Sequence, residues 1–203
     1  MIKIIDYGLG NIQAFLNVYK RLNIPAERVT DPAALRGASH AILPGVGAFD
    51  RAMSLFDASG FRAPVERLIA ATDLRILGIC VGMQMLADGS DEGNLPGLGW
   101  VPGRVRQIDN LERAKNLPMP HMGWNDVEGR PGAVLFAGIE NMRYYFLHSY
   151  YFECRDEANS LATAEYGDQF SCAVSNDNVY GVQFHPEKSH HWGQALLRNF
   201  ALT

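Results

Sequence analysis

Apolar positions along the chain fall into two textures. In the first half, short unbroken apolar runs alternate with stretches where apolar residues recur every three or four positions, the pattern of buried strands alternating with amphipathic helices. Ile2 to Asp6 is such a run; it empties into Gly8-Leu9-Gly10, after which Ile12, Phe15, Leu16 and Tyr19 follow at helical spacing. Glu27-Arg28-Val29-Thr30 predicts a strand, and Asp31-Pro32 places an N-cap before a proline suited to a first helical position, so a second helix is expected there. His40-Ala41-Ile42-Leu43 predicts a buried strand leading into a flexible Pro44-Gly45-Val46-Gly47 loop. Phe61 to Ala71 predicts a helix with Val65, Leu68 and Ile69 on its apolar side, and Arg75 to Ile79 another buried strand.

From Trp100 onward the texture turns β-rich. Arg143 to Cys154, Leu161 to Tyr166, Phe170 to Ser175 and Val179 to Phe184 read as strands, with Asn176-Asp177-Asn178 as a hairpin turn between the last two. Trp192 to Leu202 suits a closing helix. The fold expected is α/β: one domain over residues 1–203, with a central, mostly parallel sheet flanked by helices and an antiparallel, β-rich portion in the second half.

Composition narrows the function without choosing it. A chain of 203 residues with 47% hydrophobic and 20% charged residues can bury one sizeable core. Its net charge of −4 supplies no basic stripe for a row of phosphates, so nucleic acid is not the expected partner. The N-terminal apolar run is broken at Asp6, too short for a signal segment or a membrane span, and the expected location is the cytoplasm. Cys80, Cys154 and Cys172 are an odd number without metal or disulfide spacing and are expected as reduced thiols.

Two motifs carry chemistry. Gly78-Ile79-Cys80-Val81-Gly82 lies between a buried strand and Met83 to Ala87, which reads as a good helix; this is the arrangement of a nucleophile elbow with cysteine as the nucleophile. An elbow would present the sulfur at the carboxyl end of the sheet, where the next helix N-terminus favours thiolate and oxyanion. His185-Pro186-Glu187 follows the last strand, and two residues two apart in extended chain project to the same side, so the carboxylate can orient the imidazole. Gly8-x-Gly10 has Gln13 where a dinucleotide fingerprint needs a glycine, and His185, His190 and His191 lack further ligands at metal spacing. Neither a nucleotide cofactor nor a metal is expected.

Together these motifs resemble the class I glutamine amidotransferases, whose triad runs Cys, His, Glu. More closely, the chain resembles the branch formed by the glutaminase subunits of imidazole glycerol phosphate synthase, the HisH type. The resemblance rests on Asp6 to Asn11, Pro44 to Gly47, Gly78 to Gln84, Pro120 to Asn125, His148 to Tyr150 and Gln183 to Ser189, in that order. It implies Cys80 as nucleophile, His185 as general base and acid, and Glu187 as its orienting partner. It further implies an oxyanion hole from the backbone N–H of Val81 and, after reorientation of the Pro44 to Gly47 loop, of Val46. Gly47, Gln84, His148, Ser149 and Tyr150 would hold the glutamine. Asn11, Trp124, Tyr145 and Lys188 would face a cyclase (synthase) subunit in a heterodimer; Asn11 also reads as a helix cap, and Trp124 and Tyr145 as core.

Three other functions fit parts of the sequence. An amidotransferase of the same chemistry could serve amidino-sugar formation in surface polysaccharide; Ile12-Gln13-Ala14-Phe15 and His190-His191-Trp192 depart from the pattern of histidine-pathway members near the inferred partner face. A redox sensor could use Cys80 as an oxidisable thiol, but has no need of His185 and Glu187. A free-standing hydrolase of γ-glutamyl peptides would be active without a partner.

Overall fold

The computed structural model describes residues 1–71 and 73–203. In chain order, the first half forms β1 (Ile2–Ile5), α1 (Ile12–Arg21), β2 (Ala26–Val29), β3 (His40–Gly45), α2 (Phe49–Ala58), α3 (Arg62–Ala70), β4 (Arg75–Cys80) and α4 (Val81–Gln84). The second half forms β5 (Gly103–Gln107), β6 (His121–Asp126), β7 (Glu128–Gly129), β8 (Arg143–His148), β9 (Tyr150–Cys154), β10 (Ser160–Tyr166), β11 (Asp168–Asn176), β12 (Val179–Val182) and α5 (His190–Leu202).

The main sheet follows the order β2-β1-β3-β4-β12-β11-β10-β7, with β9 joined to β11 and β5 to β9. Its β2, β1, β3, β4 and β12 are parallel neighbours. Every residue of β1 and β3 is buried. Successive side chains of a strand point to opposite faces, so both faces of the sheet are covered there, which is what the unbroken apolar runs require. Beyond β12 the pairing turns antiparallel through β11, β10, β7, β9 and β5. The antiparallel pair β6 and β8 forms a separate two-stranded sheet.

Several elements differ from the sequence-based expectation. Asp31 does cap a turn, its Oδ1 accepting from the Ala33 N–H at 2.9 Å, but only a single 3-10 turn follows, Pro32–Leu35. The segment has one buried anchor, Leu35, and no further apolar period to propagate a helix. The helix expected over Met83 to Ala87 is instead one turn, Val81–Gln84. The flexible loop expected over Pro44 to Gly47 is half strand: Pro44 and Gly45 pair with Ile79 and Cys80, leaving Val46 and Gly47 outside. The single strand expected from Arg143 to Cys154 is broken at Ser149, and the last strand ends at Val182. α2 was not anticipated from the pattern. Its N-terminus has no local side-chain cap; the carboxylate of Glu92, 43 positions away, accepts from the Phe49 N–H at 3.0 Å. β5, β6 and β7 likewise lack a strong alternation of their own and are fixed by pairing with β9, β8 and β10. The hairpin turn at Asn176 to Asn178 is present, with Asp177 at φ +49°.

The helices tie the two ends of the chain together. α1 buries Phe15, Val18 and Tyr19, and the Tyr19 hydroxyl donates to the Leu197 carbonyl of α5 at 3.4 Å. Phe200 of α5 is fully buried, edge-on to His40 of β3 and near Tyr180 of β12. Phe200→Ala is expected to cost about 3–5 kcal/mol, the usual range for deleting a fully buried ring, read from the urea midpoint at unchanged slope.

Candidate active site

β4 carries Cys80 to the carboxyl end of the parallel sheet, between β3 and β12. The strand then reverses into α4 through a Cys80 backbone at φ +55°, ψ −113°, a region that residues with a side chain adopt only when their surroundings enforce it. The enforcing element is close backbone packing. A Cβ on Gly82 would lie 2.0 Å from the Leu43 carbonyl oxygen, and one on Gly45 would lie 2.2 Å from the Gly82 nitrogen. A Cβ on Gly78 would meet the Gly82 carbonyl at 2.5 Å. These glycines let β3 and the turn touch main chain to main chain. Because α4 is only one turn long, its dipole contributes little; what it offers near the sulfur is backbone N–H groups left without partners inside the helix.

The segment after β12 brings the imidazole of His185. β8 holds it at both ends: the His185 N–H donates to the Tyr145 carbonyl at 2.9 Å, and the Tyr145 N–H donates to Ser189 Oγ at 3.0 Å. His185 immediately precedes a 3-10 turn, Pro186–Lys188, and Glu187 lies within it, where extended chain was expected. The turn still closes the contact, with His185 Nδ1 2.8 Å from Glu187 Oε1, both side chains almost fully buried. Burial alone would lower the His185 imidazolium, but hydrogen bonds to Cys80 and Glu187, with the charges on both, outweigh it and raise the group to about 9. The structure therefore brings Cys80, His185 and Glu187 together.

Cys80 Sγ has two further neighbours, the Leu147 carbonyl at 3.9 Å and the Gln183 side-chain amide, which donates to it at 3.7 Å. Gln183 is fully buried and was missed as a site residue; its place two positions before His185 on the same segment was the available signal. Gln84 Nε2 in turn donates to Gln183 Oε1 at 3.1 Å. Burial first of all pushes the Cys154 thiol up to about 11 and also raises that of Cys172. All three cysteines are free.

A cavity of about 310 Å³ opens onto the sulfur. Its lining includes Val46, Gly47, Val81, Gln84, His148, Ser149 and Tyr150, all expected from the sequence, together with Glu92 and Pro120, which were not. Both ring nitrogens of His148 are engaged, with the Tyr150 carbonyl and with His121, so its polar contribution to a ligand would come from main chain. A larger open depression of about 660 Å³ lies over β7, β10 and β11, and neither Cys80 nor His185 lines it.

Trp124, Tyr145 and Lys188 gather beside the cavity. Lys188 Nζ sits 5.6 Å over the Tyr145 ring, and Trp124 lies edge-on to Tyr145 and parallel to His190 at 5.3 Å. Trp124 is 38% exposed and so is no core residue. Asn11 makes its side-chain contact elsewhere, capping α1 by accepting from the Ala14 N–H. Among the described residues no cluster of His, Cys, Asp and Glu is arranged to hold a metal, and no helix is long and apolar enough to cross a membrane.

The raised His185 gives a directional test. A group whose folded value lies above the ordinary value of about 6.5 stabilises the fold fully below that pH and loses the contribution as pH climbs through about 9. Histidine NMR titration is expected to place the His185 midpoint well above the ordinary value and to shift it down in Cys80→Ala, where one hydrogen-bond partner and its charge are gone; an unmoved midpoint would contradict the contact.

The family model for glutamine amidotransferase class-I matches residues 3–203. The imidazole glycerol phosphate synthase subunit HisH of Bdellovibrio bacteriovorus is 59% identical over 202 residues, covering 99% of each chain. The protein of the same name from Leptospira borgpetersenii is 49% identical over 203 residues, again covering 99% of each. A crystal structure of a glutamine amidotransferase superposes with a TM-score of 0.78 at 22% identity, covering 99% of this chain and 97% of that one, a likeness of fold. The chain belongs to the class-I glutamine amidotransferase family.

Proposed function

We propose that this chain is the glutaminase subunit of an imidazole glycerol phosphate synthase, hydrolysing glutamine to glutamate and ammonia for a cyclase subunit in histidine biosynthesis. The observation that carries the chemistry is the buried His185–Glu187 pair beside a cysteine held in a strained turn at the mouth of a cavity. The names of the relatives at 59% and 49% identity carry the pathway, and favour it over a sugar-modifying amidotransferase.

In this reading Cys80 Sγ attacks the γ-carboxamide carbon of glutamine while the thiol proton rests on His185. The raised imidazolium suits that division of charge, and Glu187 Oε1 holds the ring through Nδ1 so that the other nitrogen faces the sulfur and the leaving group. Val81 and Val46 supply backbone N–H groups to the oxyanion, Val46 after a local peptide reorientation confined to Val46 and Gly47 because Gly45 is locked against Gly82. His185 gives its proton to the departing ammonia, leaving a thioester. Water, deprotonated by His185, then attacks the thioester carbon, glutamate leaves and the thiol is restored. Gly47, Gln84, Ser149 and Tyr150 and the His148 main chain hold the amino-acid end.

The ammonia passes through a channel to the cyclase subunit, which docks where apolar side chains stand exposed around the cavity. Along β6 the side chains alternate, so Met122 and Trp124 share the outer face with cross-strand Leu147 and Tyr145. Met122 is 64% exposed, an unfavourable arrangement for a surface that stays in water. Trp124, Tyr145 and Lys188 lie in this region, and Asn11, at the start of α1, is proposed as a further partner contact. A heterodimer formed in the cytoplasm completes the enzyme.

The test is glutamate release by the chain alone and with a cyclase subunit carrying its ribonucleotide ligand. Activity is expected to be strongly stimulated by the liganded partner, abolished in Cys80→Ala, and reduced about 100-fold or more in kcat by Glu187→Gln, in the range of general acid–base contributions. High activity without any partner would instead indicate a free-standing hydrolase, and absence of stimulation beside intact acylation of Cys80 by a glutamine analogue would move the partner to another synthase.

A further inference from the structure

We propose that His121 is a positioning residue for the glutaminase centre: through His148 it fixes the Tyr150 carbonyl, and with it the pair of glutamine amides that rests on the Cys80 sulfur. The inference rests on the glutaminase reading above and adds to it a residue to which that reading gives no role.

The geometry is a chain of hydrogen bonds whose directions are all determined. A carbonyl oxygen only accepts, so the 2.7 Å contact from His148 Nδ1 to Tyr150 O places the His148 proton on Nδ1. Burial first, helped by the charges of His121 and His185, pushes His148 down to about 3, and burial pushes His121 down to about 4; both rings are neutral near pH 7. His148 Nε2 is then bare and must accept, so the 2.8 Å contact with His121 puts the His121 proton on Nδ1. His121 Nε2 accepts in turn from the Asn125 amide at 3.3 Å, whose second hydrogen goes to the Glu165 carbonyl at 2.7 Å. The Asp126 N–H donates to Asn125 Oδ1 at 2.8 Å, which sets the orientation of that amide.

On the other side, the Tyr150 carbonyl also accepts from Gln84 Nε2 at 3.4 Å. Gln84 donates to Gln183, and Gln183 donates to Cys80 Sγ, so the series ends with an N–H aimed at the nucleophile. The directions follow in sequence from the Tyr150 and Glu165 carbonyls, which can only accept. Packing holds the central ring in register: His121 stacks between Phe146 and Tyr166, at 4.8 Å and 4.1 Å, and pairs directly across β6 and β8 with His148. The cost of a mistake is high, because a buried ring nitrogen left without its partner loses the desolvation free energy outright.

The experiment compares wild type, His121→Phe and His121→Gln in the complex with the liganded cyclase subunit, together with 15N spectra of the histidine side chains. Phenylalanine keeps the stack but cannot donate to His148; the glutamine amide can both donate to His148 and accept from Asn125. The KM for glutamine is expected to rise about tenfold or more in His121→Phe, the equivalent of one unsatisfied buried group, and to return most of the way in His121→Gln. A merely structural role would lower the active fraction, and so kcat, at unchanged KM. The spectra of the wild-type chain are expected to show His148 protonated on Nδ1 and bare on Nε2. An unchanged KM in folded His121→Phe, no recovery in folded His121→Gln, or a His148 proton on Nε2 would overturn the proposal. The last measurement decides even where a variant fails to fold. If the wild-type complex releases no glutamate, it is the functional reading that fails, and the tautomer still judges the hydrogen-bond chain.

Discussion

The candidate active site depends on one close approach of main chain to main chain. The end of β3 and the turn after β4 pack so tightly that no side chain fits at Gly45, Gly78 or Gly82. That contact holds Cys80 in a backbone conformation it would not otherwise keep. The strained residue is thus supported by the centre of a parallel sheet with both faces covered, where the surroundings are least able to yield. It also sets the boundary of any movement in the neighbouring loop, since Gly45 belongs to the rigid strand while Val46 and Gly47 do not.

The fold was legible in sequence where burial on both faces writes an unbroken apolar run. β1, β3 and β4 were visible for that reason, as were α1, α3 and α5 from their helical spacing. It was not legible where a distant group completes the element. α2 borrows its N-terminal acceptor from Glu92, and β5, β6 and β7 acquire strand geometry from the partners they pair with. Asp31-Pro32 showed the opposite failure: the local signal for a helix start is real, and the cap forms, but one buried leucine does not sustain further turns.

The candidate site shows the same division. Cys80, His185 and Glu187 stand in short motifs whose chemistry can be read locally, although the connecting geometry is a tight turn and not extended chain. Gln183 and His121 gain their importance only from neighbours 103 and 27 positions away, Cys80 and His148. A sequence displays a glutamine or a histidine at such positions without displaying what it touches. His148 illustrates the converse, since its motif drew attention to a side chain whose ring nitrogens turn out to be spoken for.

The small β6–β8 sheet gives one pair of strands two separate vocabularies. With a period of two, Met122, Trp124, Tyr145 and Leu147 are written on the face toward solvent, while His121, Tyr144, Phe146 and His148 are written on the face toward the core. Point substitutions on the outer face can therefore accumulate without disturbing the inner one. An insertion or deletion of one residue in either strand would scramble both at once. Change in this strand pair is thereby channelled toward replacement of residues and away from change in length.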